Sequence, residues 1–229
     1  MCGRITQKSP PDQLGLRIVS LVEPLYAETG PQARFNGAPG QQHWVIRQRP
    51  ETGVRELDRL WWGLIPNWVK DPGARSKPIN ATAERVASAP MFKTAYVRRR
   101  CLVPVDSFFE WRKSGGTKTK QPYAIALPDG APFGLAGLWE SWRHPETGDL
   151  IRTFCIITSK ANELVGQIHD RMPVIVAPGD YDRWLSRLDP DPRDLLVPYP
   201  SEGMRMWPVS QRVNRPENDD ESILEPAPE

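Results

Sequence analysis

The chain has 229 residues, 39% of them hydrophobic, and a formal net charge of +2. That length suits one large domain with a buried core, and so weak a charge excludes a globally basic nucleic-acid binder, leaving any anionic partner to a local basic patch. Twenty-five prolines and nine tryptophans argue against a long-helix bundle and for short strands joined by rigid turns.

The chain opens Met1-Cys2-Gly3-Arg4. If Met1 is removed, Cys2 carries a free α-amine and a thiol on one carbon skeleton, with ordinary pKa values of roughly 8 and 8.5. Such a 1,2-aminothiol condenses with an aldehyde to an imine and then closes to a five-membered thiazolidine. It can also act as a nucleophile with its own amine as base. A cysteine that merely follows the initiator is the plain alternative.

After Ser9-Pro10-Pro11, a helix-start signal, Leu14, Ile18, Leu21, Val22 and Leu25 recur at helical spacing and predict a packing helix. Trp44-Val45-Ile46 and Leu57 to Leu64 read as a hairpin across Pro50-Glu51-Thr52-Gly53. Ala81 to Ala89 is predicted helical, stopped by Pro90, with a second helix over Phe92 to Arg99. Cys101–Val105 reads as a strand. Phe108 to Lys113 and Pro122 to Leu127 form a second hairpin across Ser114-Gly115-Gly116. Leu135–Trp142 and Leu150–Thr158 form a third across His144-Pro145-Glu146-Thr147-Gly148.

Ala161 to Ile168 is predicted helical and Pro173–Val176 a strand. Tyr181, Trp184, Leu185 and Leu188 mark a last helix at i, i+3, i+4 and i+7. The acidic stretch after Asn214 reads as a tail tied down in part by Ile223 and Leu224, with its last residues disordered. The expected fold is α+β: a single domain over residues 1–214, antiparallel strands forming a barrel-like core flanked by short helices, and a tail over 215–229.

Cys2, Cys101 and Cys155 are an odd number without framework spacing, which points to a reducing compartment. They contain no C-x-x-C pair, so no structural zinc site is expected. The start lacks a signal peptide and the chain lacks an 18-residue apolar run, so a soluble, intracellular protein is expected with no membrane partner.

Three side chains stand out as candidate chemistry. Asn80, in Pro78-Ile79-Asn80-Ala81, reads either as a helix N-cap or as an amide held against the Cys2 amine or a substrate. Glu110 sits between aromatics in Phe108-Phe109-Glu110-Trp111. Burial would raise its pKa and suit it to acid–base work, whereas strand alternation could instead turn it outward. His169, in Ile168-His169-Asp170-Arg171-Met172-Pro173, titrates in the range of a proton shuttle or serves a structural hydrogen bond; His43 and His144 have blander settings. Arg4, Arg171 and Trp68 fit a surface for phosphate and bases, or else a core tryptophan with solvated arginines. Arg98-Arg99-Arg100 reads as a solvated helix end.

Seven motifs then fall in one order: Met1-Cys2-Gly3-Arg4; Arg34-Phe35-Asn36-Gly37-Ala38-Pro39; Trp62-Gly63-Leu64-Ile65-Pro66 with Trp68; Ile79-Asn80-Ala81 with Glu84; Phe109-Glu110-Trp111; Ile168-His169-Asp170-Arg171-Met172-Pro173; and Pro208-Val209-Ser210. In this the chain resembles the SRAP family, the SOS-response-associated peptidases or abasic-site processing proteins, from Met1 to about Asn214. The resemblance implies an abasic-site sensor that binds single-stranded DNA and joins N-terminal Cys2 to the lesion aldehyde as a thiazolidine. Met1 removal, by self-cleavage or by an aminopeptidase, is its precondition, and strand nicking by β-elimination is its side path.

The same resemblance implies catalytic roles for Cys2, Asn80, Glu110 and His169 and DNA contacts from Arg4, Asn36, Trp68, Thr158 and Arg171. It implies no metal and no organic cofactor, a monomer, and a cytoplasmic, bacterial-type protein that joins the nucleoid when bound to DNA. One position departs: Thr82 stands where members often carry arginine, and Arg85 lies one turn on as a substitute. Two other readings use the same residues. One is an N-terminal-nucleophile cysteine amidohydrolase without nucleic acid, which needs an oxyanion hole. The other is a non-covalent single-strand binding module.

Overall fold

The computed structural model describes residues 2–15, 20–21, 32–49, 52–71, 73, 77–113 and 120–227. Its strands are β1 (Ile5–Gln7), β2 (Ser20–Leu21), β3 (Arg34–Gly37), β4 (Gln42–Gln48), β5 (Arg55–Trp62), β6 (Asn80–Thr82), β7 (Arg100–Val105), β8 (Ser107–Lys113), β9 (Lys120–Ala126), β10 (Phe133–Arg143), β11 (Leu150–Lys160), β12 (Arg171–Pro173), β13 (Ile175–Val176) and β14 (Arg205–Pro208). The α-helices among the described residues are short: α1 (Lys93–Arg98) and α2 (Tyr181–Leu185).

The larger sheet closes on itself. Strands β11, β10, β7, β4 and β5 pair in succession, and β5 returns to β11 through the parallel pairs Thr153↔Trp61 and Phe154↔Trp62. The barrel-like core expected from the sequence is therefore a five-strand ring. Its pairings are antiparallel apart from that closing seam, and two added strands, β2 on β5 and β6 on β11, also run parallel. A second sheet, in the order β14-β9-β8-β1-β3, lies alongside.

Period-2 alternation sorts the core. Along β7, Cys101, Val103 and Val105 share a cluster with Leu60, Trp62, Phe154, Ile5 and Cys2. The intervening Leu102 faces a different cluster that holds Tyr96 of α1 and Trp184 and Leu185 of α2. One face of the ring thus packs against the second sheet and the other against the helices.

All three predicted hairpins are present. Both Pro-Glu-Thr-Gly turns end in a left-handed glycine, Gly53 at φ 68° and Gly148 at φ 76°, a conformation that costs glycine little. The turn at residues 114–116 lies outside the described residues.

The helix readings fare less well. Residues Pro11–Leu14 form one 3-10 turn and Leu21 lies in β2; Ile18, Val22 and Leu25 lie outside the described residues. Asn80 is not a helix N-cap. It begins β6, paired with Ile156 of β11, and the chain then runs through turns before α1. Ala161 to Ile168 contains only the 3-10 helix Val165–Gln167, and Leu188, predicted on an apolar face, is 96% exposed. At 81–89 and 161–168 a ladder or turns stand where a helix was expected, whereas the helices expected over Phe92 to Arg99 and from Tyr181 form as α1 and α2.

Arg100 corrects the solvated-run reading of 98–100. It is buried, with Nη1 donating to Tyr96 O at 2.7 Å, Nε to Trp184 O at 2.6 Å and Nη2 to Asp189 O at 2.6 Å and to Ser186 O. Arg99 pairs with Glu140 at 2.7 Å.

The segment after Asn214 packs along the second sheet as far as residue 227. Ile223 is fully buried, Trp207 Nε1 donates to Leu224 O at 2.8 Å, and Asp219 Oδ1 accepts from the backbone N–H groups of Phe35 and Asn36.

Candidate active site

The two sheets meet at the amino terminus. Cys2 and Gly3 lead into β1, which lies between β8 and β3 in the second sheet, and Cys2 is fully buried. Asn80 approaches from β6 on the barrel, its Nδ2 donating to Cys2 O at 2.9 Å. Its Oδ1 is buried and takes no hydrogen bond from any described residue. Burial pushes the Cys2 thiol up, with the Glu110 charge adding to it and a 3.9 Å contact to Arg4 O opposing it. The thiol is therefore neutral at physiological pH.

Glu110 settles its own ambiguity. It lies on β8, neighbour of β1, two residues from Phe108, which packs in the cluster that contains Cys2. Alternation thus turns Glu110 inward, and it is 2% exposed. Burial raises its pKa and Asp170 adds to this, while the His169 charge pulls it back. A carboxyl held this way remains a proton donor at higher pH than an ordinary glutamate.

His169 stands on the connection between the 3-10 turn and β12. Its Nδ1 lies 3.0 Å from the Arg171 N–H, 3.2 Å from Arg171 O and 3.1 Å from Asp170 Oδ1. Glu110 and His169 line one open pocket of about 480 Å³ with Trp111, Arg112, Lys120, Gln167, Ile168 and Asp170. Cys2, Asn80, Glu110 and His169 are thus brought to one place from β1, β6, β8 and the approach to β12.

The five residues expected to touch DNA are placed differently from one another. Trp68 is 51% exposed, on a turn closed by Val69 N–H to Pro66 O at 3.1 Å. Arg171 forms a two-pronged pair with Glu84 at 2.7 and 3.0 Å and also donates to Thr158 O at 2.5 Å. Thr158 itself is fully buried. Arg4 donates to Gly3 O at 3.0 Å and Asn214 O at 3.3 Å.

Asn36 is fully buried, its Nδ2 donating to Val213 O, Arg215 O and Asn218 O at 3.2, 2.9 and 3.0 Å. It thereby ties β3 to the C-terminal segment. Arg85 is exposed on the turn beyond Thr82. Sequence reasoning missed Arg112 and Lys120 of the pocket wall, although Arg112 stands at i+2 from Glu110 and so shares its face.

Residues 1–216 match the family described as SOS response associated peptidase (SRAP). The chain belongs to the SRAP family. Among its relatives, abasic site processing protein YoqW of Bacillus subtilis (strain 168) is 38% identical over 98% of this chain and 99% of that protein. Abasic site processing protein YedK of Escherichia coli (strain K12) is 29% identical over 99% and 100%. Abasic site processing protein HMCES of Gallus gallus is 31% identical over 86% of this chain and 65% of its own length. A crystal structure of a protein from Bacteroides thetaiotaomicron shares the fold, with a TM-score of 0.84 at 24% identity over 99% of this chain and 100% of that one. A phage-related protein from Bordetella bronchiseptica aligns with a TM-score of 0.68 at 31% identity over 92% and 95%. The SRAP match covers every residue of the constellation. No helix among the described residues is long and apolar enough to cross a membrane.

Proposed function

We propose that this protein processes abasic sites in single-stranded DNA by covalent capture through Cys2 after Met1 is removed. The observation that carries the reading is the hydrogen bond from Asn80 to the Cys2 carbonyl at 2.9 Å. It fixes the first residues of the chain beside two proton-transfer groups, Glu110 and His169. The names of the relatives, all abasic site processing proteins, support the substrate class.

The chemistry proceeds from a ring-opened sugar. The Cys2 amine attacks the C1′ aldehyde, and the carbinolamine loses water as Glu110 delivers a proton to the departing oxygen. The Cys2 sulfur then adds to the iminium carbon and its proton returns to the Glu110 carboxylate, so that thiazolidine forms with the net loss of one water. Because the thiol is held neutral, it attacks with its proton still to be removed, and a carboxylate beside it takes that proton. Asn80 Oδ1, buried and not otherwise engaged among the described residues, suits the N–H of the amine and of the product ring. His169, at the open side of the pocket, serves ring opening of the sugar.

Abstraction of a C2′ proton from the imine instead gives β-elimination, the lyase side path. Trp68, Arg4 and Arg171 hold the strand, and Asn36 and Thr158 support it from beneath. Residues 1–214 carry the activity, and the protein works as a monomer in the cytoplasm, without metal or organic cofactor. Met1 is removed by the protein itself or by an aminopeptidase.

The test mixes Met1-processed protein with single-stranded DNA bearing one abasic site. A heat-stable shifted band on a denaturing gel is expected from wild type and not from Cys2→Ala, which retains DNA affinity. Turnover of small amides without any such band would replace this reading with an amidohydrolase.

A further inference from the structure

We propose that Glu84 is an internal stand-in for a strand phosphate: on binding, one phosphodiester takes its place on the Arg171 guanidinium. The proposal rests on the reading above in which Arg171 holds the strand, and it makes Glu84 the residue that sets how tightly that contact binds.

The donors of Arg171 are nearly all spent. A guanidinium has five N–H groups. Nη1 and Nη2 donate to Glu84 Oε1 and Oε2 at 2.7 and 3.0 Å, and Nη2 also donates to Thr158 O at 2.5 Å. Nε is buried and meets no hydrogen-bond partner among the described residues. An oxyanion gripped by arginine takes two parallel N–H bonds, and Glu84 already sits in that seat.

Burial decides which partner leaves. Thr158 is fully buried on β11, and its carbonyl also accepts the Ala83 N–H at 2.8 Å. The Arg171 side chain is 17% exposed and that of Glu84 50%, on the turns that follow β6. The guanidinium is thus anchored from inside, and the carboxylate is the half that faces solvent.

Charge and position make the seat attractive to a strand. Lys160 stands directly opposite Arg171 in the β11–β12 ladder, a like-charge placement that an anion offsets. Glu84 supplies that anion: its hydrogen bonds to Arg171 hold its carboxyl below the ordinary range against partial burial, and the Lys160 charge adds to this. The seat also adjoins the chemistry. Thr82 follows Asn80 by two residues on β6, about 6.6 Å along the strand, and pairs with Thr158, whose carbonyl holds Arg171. His169 Nδ1 lies 3.0 Å from the Arg171 N–H.

The experiment measures affinity for an abasic single strand by fluorescence anisotropy in a Cys2→Ala background, with native DNA and with single phosphates replaced by neutral methylphosphonate. Glu84→Gln and Glu84→Ala should each bind native DNA roughly three- to fivefold more tightly, the scale of a partly exposed ion pair. Arg171→Ala should bind more weakly. Neutralising one phosphate near the lesion should erase the gain of the Glu84 variants, and neutralising others should leave it. With Cys2 restored, both Glu84 variants should capture subsaturating DNA faster in proportion. Equal or weaker binding by both Glu84 variants would overturn the exchange and make Glu84 a brace. A gain that survives neutralisation of every phosphate in turn would overturn it as a general charge effect. Undiminished binding by Arg171→Ala would defeat the strand-contact reading itself, and the exchange with it.

Discussion

Acidification puts the interior around His43 under strain. The imidazole is 1% exposed, its Nε2 lies 3.0 Å from Ala38 O, and it packs edge-on against Trp62 and Phe154 with centroids 5.6 and 6.1 Å apart. Burial holds its pKa at about 4, below the ordinary 6.5, with the hydrogen bond to Ala38 raising it and the Arg34 and Arg59 charges lowering it. The unfolded chain therefore takes up a proton near pH 6.5 that the folded chain refuses until about pH 4. Stability present above pH 6.5 is lost as the pH falls through this window and levels off below it.

At 1.36 kcal/mol per pH unit the full cost is about 3 kcal/mol, and about 2.5 kcal/mol of it is expressed by roughly pH 4.5. That is a large part of the ~5–15 kcal/mol that holds a typical domain together. Urea unfolding of wild type and His43→Gln at pH 7.5 and 4.5 isolates the term. The variant starts less stable because it loses ring contacts. Its loss between the two pH values should nevertheless be smaller than that of wild type by about 2.5 kcal/mol. Equal losses in the two proteins would refute the reasoning.

Gly37→Ala should lower stability by about 1–3 kcal/mol in urea unfolding, because an added Cβ would lie 2.4 Å from His43 Cε1. Burial raises the Glu110 pKa, so ionisation costs the fold as the pH rises through the folded value. Glu110→Gln should therefore melt higher than wild type at pH 8, match it below about pH 4, and capture DNA more slowly. Asn80→Ala should slow capture by roughly tenfold through loss of the Cys2 hydrogen bond, a neutral bond worth about 1 kcal/mol plus its positioning effect, with Tm nearly unchanged. Arg100→Met should cost about 3 kcal/mol, since it strips a charged partner from four backbone carbonyls, two of them in buried hydrogen bonds, and thermal unfolding reads this directly.

The sequence carried the hairpins because glycine-ended turns and alternating apolar runs are local signals. Gly53 and Gly148 are needed whatever the rest of the chain does. The parallel seam between β5 and β11 was not legible, since it joins residues about ninety positions apart with no turn between them. Asn80 was misplaced on a helix for the same reason: its strand exists only because β11 lies beside it.

Arg100 shows the limit of local charge reading. Three arginines in a row look solvated until a second element supplies carbonyls to the last of them. At the site, order of motifs pointed to Cys2, Asn80, Glu110 and His169, yet the inward turn of Glu110 needed Phe108 to be placed first. Asn36, expected at the DNA, spends its amide on the C-terminal segment, which no spacing in the chain announces.

The most direct test is intact-mass spectrometry of the product formed from processed protein and an abasic single strand, without reductant. The account predicts one conjugate whose mass equals protein lacking Met1 plus DNA minus one water, abolished by Cys2→Ala. A conjugate that forms equally well with Cys2→Ala, or that still carries Met1, would contradict it.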